Sequence, residues 1–198
     1  MAAAQPPASA GSYPVRFDVA HAERLSRWLI FVKFILAIPH FVILYALQIV
    51  HRVLSLIAFF AIIFTKEYPE GIFKFNVGIL RWQANVTAYA LFMRDEYPPF
   101  SFDAGLYPVT LEIDYPHELR RFAPLYKWLL AIPHYIALIF LGIAALVVTV
   151  IAFFAILFTG AYPEAMQRFV VGVSRWSQRV TAYVLFMRDE YPPFSLDA

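Results

Sequence analysis

The chain has 198 residues, of which 61% are hydrophobic and 15% charged, with a formal net charge of +2 at pH 7 and a mean hydropathy of +0.63. Soluble domains carry about a quarter charged residues, so the composition argues against an ordinary soluble fold, and so small a net charge gives no argument for a nucleic-acid partner. Cysteine is missing from the sequence, which removes disulfide frameworks and thiolate metal sites.

Residues 1–12, MAAAQPPASAGS, are small residues and Pro and read as a disordered tail. They lack the basic and apolar regions of a Sec signal peptide, so the first apolar span is expected to act as the insertion signal. Val15, Phe17 and Val19 then alternate with Arg16 and Asp18, which predicts a short half-buried strand or extended arm. The apolar block from Trp28 to Thr65 follows. A helix needs about 20 residues, at ~1.5 Å each, to cross roughly 30 Å of hydrocarbon. The block is nearly two crossings long and reads as a helical hairpin, with spans near residues 28–48 and 50–66 and a turn marked by Gln48, His51 and Arg52.

Pro69 opens the next helical segment, a good start signal, and the segment runs to Met93. On a helical projection Ile72, Phe75, Ile79, Trp82, Val86, Tyr89 and Met93 form one stripe, and Lys74, Arg81 and Asn85 another. Each such cation would cost about 2.5–3.5 kcal/mol at the centre of a span. The segment therefore predicts an amphipathic interfacial helix, apolar stripe on the lipid and Lys74 and Arg81 toward headgroups. The alternative is a helix packed on the hairpin with a solvated polar face. Residues 94–108 form a linker in which Pro98-Pro99 forces an extended chain.

Everything after the tail is then said again. Tyr13-Pro14-Val15 returns as Tyr107-Pro108-Val109, an offset of 94 residues, and the nine residues from Met93 to Ser101 return unchanged from Met187 to Ser195. Repeats define the folding unit, which gives a first membrane repeat at residues 13–104 and a second at 107–198. The second has spans near 122–141 and 143–160, interrupted only by Gly142, and an amphipathic helix from Pro163 to Met187 carrying Arg168, Arg175 and Arg179. Arg16, Arg24, Arg27 and Lys33 precede the first apolar block, while Lys66, Lys74, Arg81 and Arg94 follow it. The positive-inside rule then places both termini in the cytoplasm. An even number of crossings per unit makes the repeats parallel, with a pseudo-two-fold axis along the membrane normal. The expected fold is an all-α membrane protein with four transmembrane helices in two parallel-repeat hairpins. Each hairpin is followed by a cytoplasmic interfacial helix, and short strand-like arms stitch the cytoplasmic face.

The ordered set Tyr13-Pro14-Val15, Lys33 to His40 with Ile38-Pro39 before the His, Phe64-Thr65 with Tyr68-Pro69-Glu70, Arg81-Trp82 and Asp95 through Ser101, all repeated in the second half, carries a resemblance. It resembles a bacterial integral membrane family known only as a domain of unknown function, number 4389, present here as two tandem copies. The resemblance implies a bacterial membrane protein; with the spans and charges above, the expected location is the bacterial inner membrane, multi-pass, with both termini cytoplasmic. The resemblance implies no established activity, and no catalytic residue carries over.

Four intramembrane polar residues stand out. Lys33 and His40 are seven residues apart and share a helix face, as do Lys127 and His134. The lysines are expected to snorkel toward the interface. Each His is expected to bond a backbone carbonyl freed by Pro39 or Pro133. The alternatives are a facing pair across the pseudo-two-fold that moves protons or a polar substrate, or one that ligates a metal or haem iron. Arg94, Asp95 and Glu96, with Arg188, Asp189 and Glu190, read as structural ion pairs, although adjacent carboxylates are also the raw material of acid–base or Mg²⁺ chemistry. The functional expectation is a non-catalytic membrane scaffold or accessory protein without cofactor. Its expected partners are lipid, a larger membrane complex or a second copy of itself. A small transporter, channel-like or haem-binding protein is the alternative.

Overall fold

The computed structural model describes residues 13–197; the expected tail at residues 1–12 lies outside the described residues. Seven elements follow in order: β1 (Val15–Val19), α1 (Leu29–Thr65), α2 (Glu70–Ala90), β2 (Val109–Ile113), α3 (Ala123–Leu130), α4 (Ile132–Thr159) and α5 (Glu164–Val184).

The expected hairpins are replaced by single long helices. α1 runs unbroken for 37 residues, about 55 Å at ~1.5 Å per residue. Gln48, His51 and Arg52 lie within it and do not turn the chain. None of them is a helix breaker, and a lone Gly such as Gly142 costs only about 1 kcal/mol in a helix interior. The second copy follows the same path as α3 and α4, divided at Ala131, whereas the equivalent proline of α1, Pro39, lies inside a continuous helix. Among the described residues, α1 and α4 are the two helices long and apolar enough to cross a membrane. The long helices end at Lys66 and Gly160, both left-handed, whose N–H groups close onto Ile62 and Ile156; this satisfies carbonyls that a helix end leaves open.

Each long helix buries one narrow stripe. On α1 the stripe is Ile30, Lys33, Ala37, His40, Leu44, His51, Ser55, Ala58 and Ile62. Three- and four-residue spacing of this kind is a packing seam on one helix face. α2 runs back along it and presents Ile79, Trp82, Val86 and Tyr89, all buried. This is the stripe expected to lie on lipid; it lies on α1. The opposite side of α2, at about 100° per residue, carries Phe73, Val77, Leu80, Ala84 and Ala88, which join the core cluster formed by the inward side chains of both strands.

β1 and β2 form an antiparallel ribbon in which Phe17 pairs with Leu111 at the centre. Those two residues are repeat equivalents, so the pseudo-two-fold axis passes between them. The strands are exchanged: β1 packs on α5 of the second repeat and β2 on α2 of the first. Arg81 donates from Nε to the Leu111 carbonyl (3.3 Å), and Arg175 from Nε to that of Phe17 (2.8 Å). A two-stranded ribbon is marginal by itself; the guanidinium anchors and the apolar face beneath it supply the missing support.

The long helices are antiparallel. Leu25 N–H bonds to the Gly160 carbonyl (2.8 Å), and Leu119 N–H to that of Lys66 (2.9 Å), so the start of each long helix meets the end of the other. The axis therefore runs across the helices and not along them, contrary to the arrangement that parallel crossing spans require. The molecule has three layers: α1 with α3–α4, then α2 with α5, then the ribbon. Because Leu111 is 1% exposed at the centre of the contact between repeats, Leu111→Ala should cost about 2–5 kcal/mol. The exposed neighbour change Thr110→Ala should fall within about 0.5 kcal/mol. Thermal unfolding in detergent separates the two.

Candidate functional site

Lys33, His40, His51 and Ser55 of α1, and Lys127, His134 and Thr149 of the second copy, point inward. Lys33 is fully buried on the stripe of α1. Its ammonium pairs with Asp95 Oδ1 at 2.7 Å, donates to the Arg94 carbonyl at 2.7 Å and lies 5.3 Å from the Tyr89 ring centre. Asp95 Oδ2 in turn accepts the Ser26 N–H at 2.6 Å. The copy repeats every contact: Lys127 with Asp189 at 2.6 Å, with the Arg188 carbonyl at 2.7 Å, and over Tyr183 at 5.0 Å. Asp189 Oδ2 accepts the Arg120 N–H. The expected snorkelling is thus corrected. A lysine has three donors to satisfy once out of water, and here a carboxylate, a carbonyl and an aromatic face receive it.

Arg94 pairs with Glu96 and Arg188 with Glu190, and both pairs are bidentate. The remaining guanidinium nitrogens donate to Ala20 and Asp114 carbonyls. Tyr107 and Tyr13 close the same loops by donating to the Glu96 and Glu190 carbonyls at 2.8 and 2.9 Å. Asp95 and Asp189 belong to the lysines instead. These carboxylates form a structural clamp that holds the start of each long helix to the end of the helix after it.

His40 is fully buried. Its Nδ1 accepts the Trp82 Nε1–H at 3.0 Å, its ring stacks on Phe100 at 4.0 Å, and Tyr97 lies 4.9 Å away. His134 has the same box: Trp176 at 3.0 Å, Phe194 at 4.0 Å and Tyr191 at 4.8 Å. Each imidazole is enclosed by its own repeat. Indole N–H can only donate, so Nδ1 is the acceptor and the proton of the neutral ring resides on Nε2. This differs from the expected bond to a carbonyl beside Pro39 or Pro133. An iron ligand would have to displace the Trp or take the Nε2 proton, so the arrangement does not offer haem a free lone pair. Nε2 of both rings has no hydrogen-bond partner among the described residues.

The five cations expected at headgroups divide in two. Arg81 also donates to the Phe102 carbonyl at 2.7 Å, and Arg175 to that of Leu196 at 2.9 Å. Arg179 is 3% exposed and donates to the Asp197 carbonyl at 2.7 Å. These three are tied to protein. Lys74 and Arg168 remain exposed, each beside a carboxylate one turn earlier, Glu70 and Glu164.

Two features escaped the sequence. His51, expected in a turn, faces Asn76 Oδ1 at 3.0 Å, and Asn76 donates to the Tyr68 hydroxyl at 2.9 Å. The second repeat places Ala145 and Val170 at the equivalent positions. The ribbon also borders two repeat-related clefts, of about 570 Å³ at His21, Gln167 and Arg175 and about 510 Å³ at Tyr115, Phe73 and Arg81. In the first, His21 is bonded to Gln167. At the equivalent positions the second has the edge-on pair Tyr115 and Phe73 at 5.0 Å. The 94-residue offset shows the differing residues in the sequence; the contacts they make appear only in the fold.

Removing one partner of a buried ion pair costs about 3–5 kcal/mol, whereas replacing both with apolar residues is often neutral. Asp189→Ala should therefore destabilise strongly, and Lys127→Met combined with Asp189→Leu should cost less than the two single changes together; a thermal double-mutant cycle reads this directly. The pH dependence has a definite sign. The hydrogen bonds from Arg94 hold the Glu96 carboxyl below the usual range. At Glu190 burial pushes upward, but the Arg188 bonds outweigh it and the net direction is again down. A depressed folded-state pKa gives stability that is complete above the unfolded value, about 4.3, and is lost as the pH falls through the folded value. The unfolding temperature should drop on acidification below about pH 4.5, and Glu96→Gln with Glu190→Gln should flatten that drop.

Neither a curated protein nor a solved structure matches the chain. One family does, at residues 27–101 and again at residues 122–195. Each matched stretch spans one long helix, the helix that returns along it, and the loop bearing the clamp carboxylates. The chain is a tandem duplication belonging to the family described as Domain of unknown function (DUF4389).

Proposed function

We propose that the protein is a non-catalytic scaffold or accessory protein of the bacterial inner membrane, one that organises lipid, a larger membrane complex or a second copy of itself through its polar face. One observation carries this reading: the long helices have their polarity reversed. Lys33, His40, His51 and Ser55 lie on the buried stripe of α1, while Phe31, Phe34, Ile35, Val42, Ile49 and Phe60 are exposed. The second copy hides Lys127, His134 and Thr149 and exposes Ile136, Phe140, Leu146 and Phe154. In water that distribution would be costly, since monomeric soluble proteins rarely expose contiguous apolar patches of this kind. Against hydrocarbon it is the favourable one.

The scaffold reading over a carrier or cofactor reading rests on how the interior polar groups are used. Each buried lysine is matched by its own carboxylate and carbonyl, and each imidazole by an indole. These are bonds that fix geometry. The protein should therefore fractionate with membranes, resist alkaline carbonate and be released by detergent. Purified in mild detergent, it should co-isolate lipid or a defined membrane partner and remain colourless. Recovery in the soluble fraction would refute the membrane assignment, and a Soret band or His40-dependent flux in proteoliposomes would refute the scaffold assignment.

A further inference from the structure

We propose that the protein lies in the plane of one leaflet. In this arrangement α1 and α3–α4 are immersed in hydrocarbon, the pseudo-two-fold axis stands along the membrane normal, and the β1–β2 ribbon faces water. The inference rests on the membrane reading above and specifies its geometry.

Three observations carry it. The first is where the charge sits. The outer face of the ribbon bears Arg16, which pairs with Glu112 at 3.0 Å and with Asp114 at 2.7 Å, and Asp18, which pairs with Arg175 at 3.3 Å. Arg81, at the middle of α2, holds Leu111 at the ribbon centre. On its other side α2 meets the middle of α1, through Trp82 with His40 and Asn76 with His51. Stood upright, α1 would place this half-exposed charged ribbon at the depth where ionisable groups are most costly. Laid flat, the same stack puts the apolar layer below and the charges above.

The second observation is length and symmetry. A 37-residue helix exceeds the ~20 residues that span the hydrocarbon, while a helix diameter of about 10–12 Å fits within one leaflet. Because the helices are antiparallel, both ends of the pair carry exposed cations, Arg24 and Arg27 at one, Lys66, Arg120 and Arg121 at the other. Upright, that pattern would offer the positive-inside rule no preferred orientation. Flat, the cations at both ends reach one headgroup layer, where Arg24, Arg27, Arg120 and Arg121 complement anionic lipid, while Lys66 is paired with Glu118 at 3.1 Å.

The third is the extent of the apolar surface. On α1 from Phe31 to Phe64 the exposed residues include a single charge, Arg52, and on α4 none. The polar surface belongs to the other layers and to the helix ends. Segregation along the symmetry axis is the polarity of a monotopic protein.

The natural chain lacks cysteine, so single thiols can be placed in the full-length protein. Glu23→Cys marks one end of α1, Glu67→Cys the other, and Thr110→Cys the ribbon. Sealed membrane vesicles of one orientation are treated with a membrane-impermeant maleimide before and after lysis. The expected result is that all three sites share one side and react to the same extent. Labelling of Glu23→Cys and Glu67→Cys from opposite sides, or a Thr110→Cys that stays unreactive after lysis, overturns the proposal while leaving the membrane reading intact. Loss of the protein from the vesicles would instead overturn the membrane reading. Polarised infrared dichroism on the unmodified protein in oriented bilayers gives a second measure: the mean helix axis should lie near the membrane plane, and an axis near the normal refutes the inference.

Discussion

An ammonium group removed from water must be fully satisfied, and much of the architecture follows from satisfying two of them. Lys33 lies one turn inside α1 with no access to solvent. The Arg94 carbonyl and the Asp95 carboxylate can reach it only if the chain leaving α2 turns back over the start of α1. That turn brings Tyr97 and Phe100 onto His40 and places Arg94 against Glu96 and Ala20. It also sets the Glu96 carbonyl where the arm residue Tyr107 can bond it. Lys127 imposes the same course on the second copy. The clamp is therefore the point at which helix packing, loop path and strand placement are made mutually dependent. A neutral residue at position 33 would leave the Asp95 carboxylate without its ammonium partner and take one of the loop's anchors away.

What the sequence conveyed depended on whether the signal was periodic or topological. The repeat, the two strands and the starts of α2 and α5 at Pro69 and Pro163 were legible, because alternation, helical spacing and proline are local properties. The continuity of α1 was not. A block nearly two crossings long suggests a turn only if a crossing is assumed, and Gln48, His51 and Arg52 mark polarity without breaking a helix. His51 faces Asn76, a partner 25 residues away that no local pattern could nominate. Arg81, Arg175 and Arg179 look like a headgroup stripe on a projection of α2 or α5, because a projection does not contain the carbonyls that receive them. The direction of the repeats differs from the expected one because counting crossings fixes a parallel arrangement only when every apolar block folds back as a hairpin and crosses twice, and α1 is a single helix.

The copies agree where geometry demands it and differ where it does not. Both clamps and both histidine boxes superimpose contact for contact, whereas the His51–Asn76–Tyr68 chain exists only in the first repeat and the His21–Gln167 contact only at the second-repeat cleft. A duplicated unit retains what closes each half and is free to vary beside the axis. The two clefts, one with the His21–Gln167 contact and the other with the Phe73–Tyr115 pair, are thus places where the two halves present different chemistry to the surroundings.

The exchanged strands have a consequence for how such a chain could have arisen. A ribbon with equivalent residues at its centre, each strand resting on the other half's helices, is the isologous contact of a two-fold homodimer. One repeat by itself would carry a strand with no helix to cover and a helix pair with no strand above it. A single-copy ancestor would thus have been incomplete as a monomer and whole only as a pair. Joining the copies through residues 94–108 turned an encounter between two molecules into an intramolecular closure. It also released each half from serving both sides of a symmetric interface, which is the freedom that the unequal clefts display.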